Sequence, residues 1–450
     1  MRDQPHVQPQ RPAKRPATQQ HLRSAWVLAA VLLAASGPAA AAKAKPAPTP
    51  PPPAPDRTLV LASASANAVP TDGQPCAVSG DGSKVLFSAR SGALVSGDSN
   101  GEVDLFLKDL NGNGVQRVVA AAAPLSPVFC LGMTPDAKNV VYTLVNPSIL
   151  PAIQVKNLLT GSVTQVTPPL ASLPNVAGYQ FAGISDDGLR LAFIAQPTST
   201  SSGYDTTALG PARMLLRDLG TGQLINLEAQ VRFTTEQGRA RGSAQLAPDG
   251  RSLAFASCAP HPETGDNSGK CGVFSHQLDT GLTRLVSTTA AGQPVQVAGS
   301  FNPSFGLQAV LPGSNRVVFR LGYDTNAGLA GIYIKDLASG ALTRVLDPSV
   351  TYGVGDSLAL SFSGDGSKVA YIASTGNSQS GQSLAVVRHL ASGTLTNAAT
   401  LSNGTVGNGN TSVGALLSRD GSAVAFGNNA TNLVAGAATV DVRTYRKLLP

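Results

Sequence analysis

A loop rich in side-chain oxygens is the first feature of this sequence with possible chemistry. Asp98, Asn100, Glu102 and Asp104 alternate along it, so oxygen donors recur at every second position. Calcium takes roughly six to eight oxygen ligands from flexible loops, and this spacing makes the four residues a calcium candidate. The competing interpretation is a solvated turn held by Asx-type hydrogen bonds.

No group of residues in the sequence has the pattern of a catalytic site. The stretch 97–101 matches the Gly-x-Ser-x-Gly pattern of a nucleophile elbow, but that elbow joins a strand to a helix and this stretch is expected between two strands. His276 and His389 are expected on different repeat units, and His261 lies in a loop. We therefore predict no catalytic residue, no cofactor and no metal centre beyond the calcium candidate.

The four cysteines predict two disulfides. Cys258 and Cys271 flank one loop within a single unit of a sequence repeat, so a bond between them would close that loop. Cys76 and Cys130 occupy nearly equivalent positions in two consecutive units, and a bond would join those units. The alternative for the second pair is two buried thiols too far apart to bridge. Disulfides persist in oxidising compartments, so the pattern favours export.

The amino-terminal residues have the pattern of an export signal. A basic segment precedes the apolar stretch 25–35, and the small residues Ala40, Ala41 and Ala42 follow it. This order predicts a Sec-type signal peptide over residues 1–42 and a Pro/Ala-rich linker over residues 43–57. The competing interpretation is an uncleaved anchor. We expect a mature chain in the periplasm or secreted, with no stable membrane span.

The charge balance argues against a nucleic-acid partner. The whole chain has 33 basic and 26 acidic residues, a formal net charge of +7. The predicted signal peptide holds five of the bases and one of the acids, so the mature chain keeps 28 bases and 25 acids. Because the remaining charge is nearly balanced, no basic footprint for nucleic acid is expected.

Internal repetition organises the rest of the chain. A turn of the form x-Asp-Gly follows one apolar run and precedes another, and its mean spacing is about 56 residues. Asp-Gly supplies the backbone with the positive φ that tight hairpins need. The seven copies, one with Ala for Gly and one degenerate, are Gly80-Asp81-Gly82, Pro135-Asp136-Ala137, Asp186-Asp187-Gly188, Pro248-Asp249-Gly250, Pro312-Gly313-Ser314, Gly364-Asp365-Gly366 and Arg419-Asp420-Gly421.

Each repeat unit has the internal order of four strands. Two strands flank the x-Asp-Gly turn, a longer loop leads to a third, and a Thr-Gly or Ser-Gly turn leads to a fourth. Four-stranded sheets that repeat in this way stack radially, so the sequence predicts an all-β, seven-bladed β-propeller over residues 58–450. The last unit lacks a fourth strand, and the stretch 58–63 resembles one. We predict that this amino-terminal strand closes the last blade and removes its open edge.

The repeats resemble the TolB-type, WD-like propeller repeats of exported bacterial proteins. The stretches 79–88 and 95–106 are similar to that family's repeat core, and the resemblance extends over residues 58–450. It implies a propeller fold. The chain differs from TolB itself in lacking a separate α/β domain and in having seven units instead of six, so the resemblance does not imply a Tol–Pal role.

The long loops favour a binding function. Loops between second and third strands, and connections between units, are long and should open on one face, where binding sites usually lie on rigid folds. We predict an exported, non-enzymatic scaffold that binds an envelope or extracellular protein through this face. The alternatives are a polysaccharide lyase or hydrolase, and a module that binds a small ligand or calcium. The only tryptophan, Trp26, lies in the predicted signal, which leaves few aromatic rings for stacking on sugars.

Overall fold

The computed structural model describes most of the propeller. The described residues are 58–121, 127–146, 149–169, 176–197, 213–227, 231, 243–257, 272–295, 306–313, 315–321, 331–346, 360–374, 382–434 and 441–450. All of them belong to one compact unit, Pro55–Pro450. The predicted signal peptide and linker, residues 1–57, lie outside the described residues and remain predictions.

The described residues form 28 strands in seven antiparallel sheets of four. Blade 1 has β2 Gln74–Val78, β3 Lys84–Ala89, β4 Asp104–Asp109 and β5 Val115–Val119. Blade 2 has β6 Val128–Met133, β7 Asn139–Asn146, β8 Ile149–Asn157 and β9 Val163–Gln165. Blade 3 has β10 Val176–Ile184, β11 Arg190–Pro197, β12 Arg213–Asp218 and β13 Leu224–Asn226. Blade 4 has β14 Ala244–Leu246, β15 Ser252–Ser257, β16 Gly272–Gln277 and β17 Thr283–Leu285.

The remaining blades repeat the same order. Blade 5 has β18 Gly306–Val310, β19 Arg316–Leu321, β20 Gly331–Asp336 and β21 Leu342–Leu346. Blade 6 has β22 Ser361–Phe362, β23 Lys368–Ser374, β24 Ser383–His389 and β25 Leu395–Asn397. Blade 7 has β26 Thr411–Leu417, β27 Ala423–Asn428 and β28 Arg443–Leu448, with β1 Leu59–Leu61 as its outer strand. The predicted seven-bladed propeller is therefore confirmed.

The amino-terminal strand closes the ring. β1 pairs antiparallel with β28, and Leu59 lies opposite Lys447 in the register. The pairing is extended by Thr444, whose backbone N–H donates to Ser63 Oγ at 3.0 Å. Because β1 covers the outer edge of β28, blade 7 has four strands like the others, as the sequence predicts.

The repeated turn is held by a hydroxyl and a carboxylate. Ser79 Oγ donates to Asp81 Oδ1 at 2.6 Å, and the N–H of Ser83 donates to the same oxygen at 3.0 Å. Gly82 follows with a φ of 70°. In the second unit Ala137 occupies the glycine position with a φ of 56°, in the left-handed region that costs a residue with a Cβ some strain. The turn geometry therefore persists where the sequence departs from Asp-Gly.

Hydrophobic side chains lie between neighbouring blades. Phe426 of β27 stacks on Tyr445 of β28, with ring centroids 5.7 Å apart, and both belong to a cluster with Ala385 and Val387 of blade 6. Similar clusters join blades 1 and 2, 3 and 4, and 4 and 5. Burying both faces of each sheet in this way explains why a single four-stranded unit needs neighbours.

The first strands line a central channel. The x-Asp-Gly turns meet at one of its ends, where backbone hydrogen bonds join neighbouring units: Gly80 N to Pro135 O at 2.7 Å, Asp186 N to Pro248 O at 2.7 Å, Gly364 N to Arg419 O at 2.6 Å, and Asp420 N to Gly80 O at 2.9 Å. We call this the short-turn face. The second strands end and the third strands begin at the opposite end of the channel, where the described parts of the second-to-third loops and of the connections between blades lie. We call this the long-loop face.

Candidate functional site

A groove with a volume of about 740 Å³ opens on the long-loop face. It lies where blades 7, 1 and 2 meet. Its walls are the beginning of β2, the end of β3, the beginning of β6 and the segment just before β28. Its volume is in the range of ordinary ligand sites, roughly 300–1,000 Å³. We call it the rim groove.

Two carboxylates and a guanidinium line the rim groove: Asp72, Asp441 and Arg90. Asp72 lies in the connection from β1 to β2, and Asp441 lies before β28. The N–H of Gly73 donates to the carbonyl of Val442 at 2.9 Å, so the residues next to the two carboxylates are directly joined. The N–H of Arg90 donates to Asp72 Oδ2 at 3.4 Å. Ring closure therefore brings two acidic residues into the lining of one groove.

An exposed aromatic ring lies on the opposite part of the groove. Phe129 of β6 is 52% exposed, although most phenylalanines of the described blades are buried. It lies next to Cys130, which forms a disulfide with Cys76 of β2, with Cα atoms 6.1 Å apart. The predicted disulfide between neighbouring blades is thus confirmed. It ties β2 to β6 and keeps the backbone that carries Phe129 in place.

The second cavity is the channel pocket, about 320 Å³ in volume, near the short-turn face. First strands of all seven blades line it. Asp186 of blade 3 and Arg419 of blade 7 are its charged side chains among the described residues, and they form an ion pair across the channel. Burial raises the pKa of Asp186, and the Arg419 charge opposes that shift. Since the two groups satisfy each other, this pocket presents no unpaired charge.

Two of the four residues of the calcium candidate form ion pairs with an arginine. Arg117 of β5 donates to Asp98 Oδ1 at 2.9 Å and contacts Asp104 Oδ2 at 3.2 Å, and both aspartates are nearly fully buried. Asn100 Oδ1 accepts the N–H of Glu102 at 3.0 Å, as in an Asx turn. Among the described residues no group of three or more His, Cys, Asp and Glu side chains has the geometry of a metal site. Calcium binding by these four residues stays a prediction, and it would require displacing Arg117.

The other predicted residues are widely separated. Cys258, Cys271 and His261 lie outside the described residues, so the second disulfide stays a prediction. His276 is fully buried in blade 4, and its Nδ1 lies 2.9 Å from Thr283 Oγ1. His389 ends β24 next to the short turn of blade 6. Neither histidine lines either cavity.

Sequence reasoning missed the rim groove. Asp72 and Asp441 stand at opposite ends of the propeller sequence, in segments without a motif, so nothing local indicates that they meet. One indication of Phe129 was present in the sequence, because this residue precedes Cys130 on a predicted first strand near the channel mouth.

Among the helices of the described residues, none has both the length and the apolar character needed to cross a membrane.

No protein-family model matches the sequence, and no curated protein matches it. Solved structures do match the fold. An oligogalacturonate lyase from Vibrio parahaemolyticus is 12% identical with a TM-score of 0.54, covering 88% of this chain and 96% of that one. The propeller domain of the Trilobed protease from Pyrococcus furiosus is 13% identical with a TM-score of 0.50, covering 84% and 96%.

A prolyl endopeptidase is also similar, at 13% identity and a TM-score of 0.50, but the match covers 84% of this chain and only 50% of the endopeptidase. This chain therefore corresponds to about half the length of that enzyme. TolB structures are among the matches. The propeller fold that the resemblance to TolB-like repeats implied is confirmed by the seven four-stranded sheets. At these identities the comparisons establish architecture alone.

The prediction of a non-enzymatic scaffold is wrong. The three solved structures named above with TM-scores of 0.50 or more are a lyase, a prolyl endopeptidase and the propeller domain of a protease, and none of these is a binding scaffold by its description. The scaffold interpretation rested on the lack of a catalytic motif in the sequence, and that argument fails because a propeller assembles its sites from loops of several blades. Of the functions considered, the enzyme alternative agrees better with these matches.

Proposed function

We propose that this chain is an exported, polysaccharide-active hydrolase that works in the rim groove, with Asp72 and Asp441 as its acid–base pair. The observation that carries the proposal is that these two carboxylates both line one groove of about 740 Å³. Glycoside hydrolysis requires two carboxyl groups flanking the scissile bond. The groove is large enough for a few sugar rings.

The chemistry needs no group beyond the two carboxylates and water. One protonated carboxyl group donates its proton to the glycosidic oxygen as the bond from that oxygen to the anomeric carbon breaks. The other carboxylate accepts a proton from a water molecule, whose oxygen attaches to the anomeric carbon. Arg90 supplies a cation at the edge of the groove for hydroxyl or acidic substituents.

Phe129 supplies the surface on which a sugar ring would rest. Its ring is half exposed in the groove, and an exposed aromatic ring offers a large apolar surface for contact with the apolar face of a sugar ring. The disulfide beside it limits movement of the strand that carries the ring. A preorganised surface of this kind lowers the entropic cost of binding.

Export agrees with a polymeric substrate outside the cytoplasm. The disulfide between Cys76 and Cys130 is of the kind that persists in oxidising compartments. The predicted Sec-type signal over residues 1–42 would deliver the chain to the periplasm or beyond. An enzyme in either place meets polysaccharides of the envelope or the surroundings.

Activity on a panel of neutral and acidic polysaccharides tests the proposal. New reducing ends are measured after incubation with the purified protein, and ultraviolet absorbance detects unsaturated ends. We expect reducing ends without unsaturated ends, and a loss of about 10²-fold or more in rate for Asp72→Asn and for Asp441→Asn, because each removes one proton-transfer group.

The matched control is Asp279→Asn, an exposed carboxylate in the short turn between β16 and β17 on the other face. It should leave the rate unchanged. Unsaturated ends would show elimination and overturn the hydrolase assignment. Full activity in both groove variants, or no cleavage of any polymer on the panel, would place the function elsewhere.

A further inference from the structure

Every blade carries a basic residue or a histidine at the same place on its third strand. The residue before the last residue of that strand is Lys108, Lys156, Arg217, His276, Lys335, Arg388 and Lys447 in blades 1 to 7. The position recurs although the neighbouring residues vary. Burying a cationic side chain in a stacked sheet costs free energy unless the side chain finds hydrogen-bond acceptors, so we expect these residues to have acceptors nearby.

Five of the seven reach across to the preceding blade. Each donates to a backbone carbonyl on or just after that blade's fourth strand: Lys108 Nζ to Ala64 O at 3.2 Å, Lys156 Nζ to Val118 O at 2.7 Å, Arg217 Nε to Val166 O at 3.0 Å, Lys335 Nζ to Thr289 O at 2.8 Å, and Lys447 Nζ to Thr400 O at 2.6 Å. We call these contacts the basic clasps. They join successive blades with charge-assisted hydrogen bonds.

Blade 4 differs because its clasp position is a histidine. His276 is fully buried, and its Nδ1 bonds to Thr283 Oγ1 on the neighbouring strand of its own blade. Its Nε2 has no hydrogen-bond partner among the described residues. Phe274, two residues earlier on the same face of β16, packs with Leu216 and Leu227 of blade 3. The side chain at this junction is therefore short, neutral and enclosed.

We propose that His276 makes the junction between blades 3 and 4 the acid-sensitive opening point of the propeller. At neutral pH the uncharged imidazole is compatible with its buried site. On acidification the protonated ring carries a charge and an N–H at Nε2 that faces no acceptor among the described residues, so the closed junction is penalised relative to an opened one. The clasps at the other junctions that the structure describes are lysines and arginines, which keep their charge throughout this range.

The charged groups around His276 do not offset such a proton. β13, β14 and β15 have no ionisable side chain, and on β17 Arg284 is exposed next to Thr283 on the other face. On blade 3, Asp218 ends β12, where its carboxylate accepts the N–H of Thr221 at 2.8 Å. Arg190 of β11 donates to the carbonyl of Gly250 at 2.8 Å. Asp218 and Arg190 are thus both engaged elsewhere.

The pH window follows from the direction of the shift. Burial lowers the pKa of His276 from its ordinary value of 6.5. The unfolded chain therefore binds a proton more readily than the folded chain, so His276 causes no loss of stability above about pH 6.5, and the loss grows as the pH falls from there towards the folded pKa. This range lies above the range, below about pH 4, in which the aspartates of the x-Asp-Gly turns lose their contribution to stability.

Hydrogen exchange of the purified protein over this range tests the proposal. We expect exchange at amides of β12, β13, β16 and β17, corrected for the intrinsic rate, to accelerate by up to about tenfold per pH unit below pH 6.5. Amides of blade 1, which has a lysine clasp, should keep their protection. Opening spread evenly over all blades in the wild type would overturn the proposal, even if no variant folds.

Two substitutions at the site and one control sharpen the result. His276→Gln keeps a hydrogen-bonding side chain without a titratable ring, and His276→Lys places at blade 4 the residue type of four of the five clasps. Both should remove the acceleration between blades 3 and 4. His389→Gln changes the other histidine of a described third strand and should leave it unchanged. Persistence of acid opening in His276→Gln would contradict the proposal.

Discussion

At the scale of single residues, the buried charges of blade 1 show how this fold tolerates acidic groups. Asp98 and Asp104 lie a few ångströms apart with almost no solvent contact, and Arg117 lies between them. The N–H of Ala121 donates to Asp104 Oδ1 at 2.7 Å, which satisfies a further lone pair. Two carboxylates this deeply buried are tolerable because one cation and several donors surround them.

Replacing Arg117 with Met should destabilise the protein by about 3 kcal/mol, because it leaves two buried carboxylates facing each other without a cation. Urea unfolding at neutral pH measures the change in the free energy of unfolding. Lys84→Met is the control, since Lys84 and Asp109 form a pair that is about one-third exposed and should contribute less than about 1 kcal/mol. Equal losses in the two variants would contradict this account.

Arg446 of β28 presents the opposite case. It is 7% exposed, and its Nε and Nη1 have no hydrogen-bond partner among the described residues. Its neighbours across the sheet are Val60 and Ala425, which are apolar. Arg446→Met should therefore stabilise the fold by about 1 kcal/mol, because a buried guanidinium with two unpartnered nitrogens among the described residues costs more than an apolar chain of similar length. A higher urea midpoint in the variant is the expected result, and a lower midpoint would show that the guanidinium is satisfied.

At the scale of elements, closure depends on one short strand. β1 has only three residues, yet it supplies the fourth strand of blade 7, and Thr58 just before it accepts a hydrogen bond at its hydroxyl from Lys447 Nζ at 2.8 Å. Lys447 also forms the clasp to blade 6 at Thr400. The amino-terminal strand and the carboxy-terminal strand thus hold each other and the preceding blade.

A chain that begins at residue 64 should associate or aggregate, whereas one that begins at residue 58 should remain monomeric. Removing β1 leaves β28 as an open edge with unpaired backbone groups, which is a template for pairing with a second chain. Size-exclusion chromatography and the thermal midpoint distinguish the two chains. Identical behaviour would mean that the closing strand is dispensable.

At the scale of the whole molecule, four of the repeated turns carry carboxylates with lowered pKa values on the short-turn face, namely Asp81, Asp136, Asp365 and Asp420. The hydroxyl of Ser79 is the main cause that lowers the pKa of Asp81 from 3.8 to about 2, and burial partly opposes it. The hydroxyl of Ser363 lowers the pKa of Asp365 in the same way. Since folding lowers these pKa values, the turns stabilise the protein fully above about pH 4 and lose that contribution as the pH falls towards 2.

Ser79→Ala together with Ser363→Ala should move the acid limb of the stability curve to higher pH, because the two aspartates lose their main hydrogen bond. The free energy of unfolding measured from about pH 5 down to pH 2 gives the limb. Ser99→Ala, in the exposed part of the loop between β3 and β4, is the control. An unchanged acid limb in the double variant would show that these turns do not govern acid unfolding.

Much of the architecture was predictable from local signals. The Asp-Gly turns and their spacing predicted seven blades, the missing fourth strand of the last unit predicted closure by residues 58–63, and equivalent positions predicted the bond between Cys76 and Cys130. All three depend on backbone preferences and repeat order, which neighbouring residues determine. His276 was visible in the sequence as well. Its effect on the junction between blades 3 and 4 depends on the contacts of the third strands with the preceding blades, which only the structure shows.

The sequence by itself therefore determined the repeat, the number of blades and the way the ring closes, because turn chemistry and strand alternation act over a few residues. Only the tertiary structure decided which distant side chains meet. Asp72 and Asp441 share a groove because closure joins the first and last segments, and Asp186 contacts Arg419 across the channel, 233 residues away. Such meetings depend on the assembled ring of blades, so no short stretch of sequence specifies them.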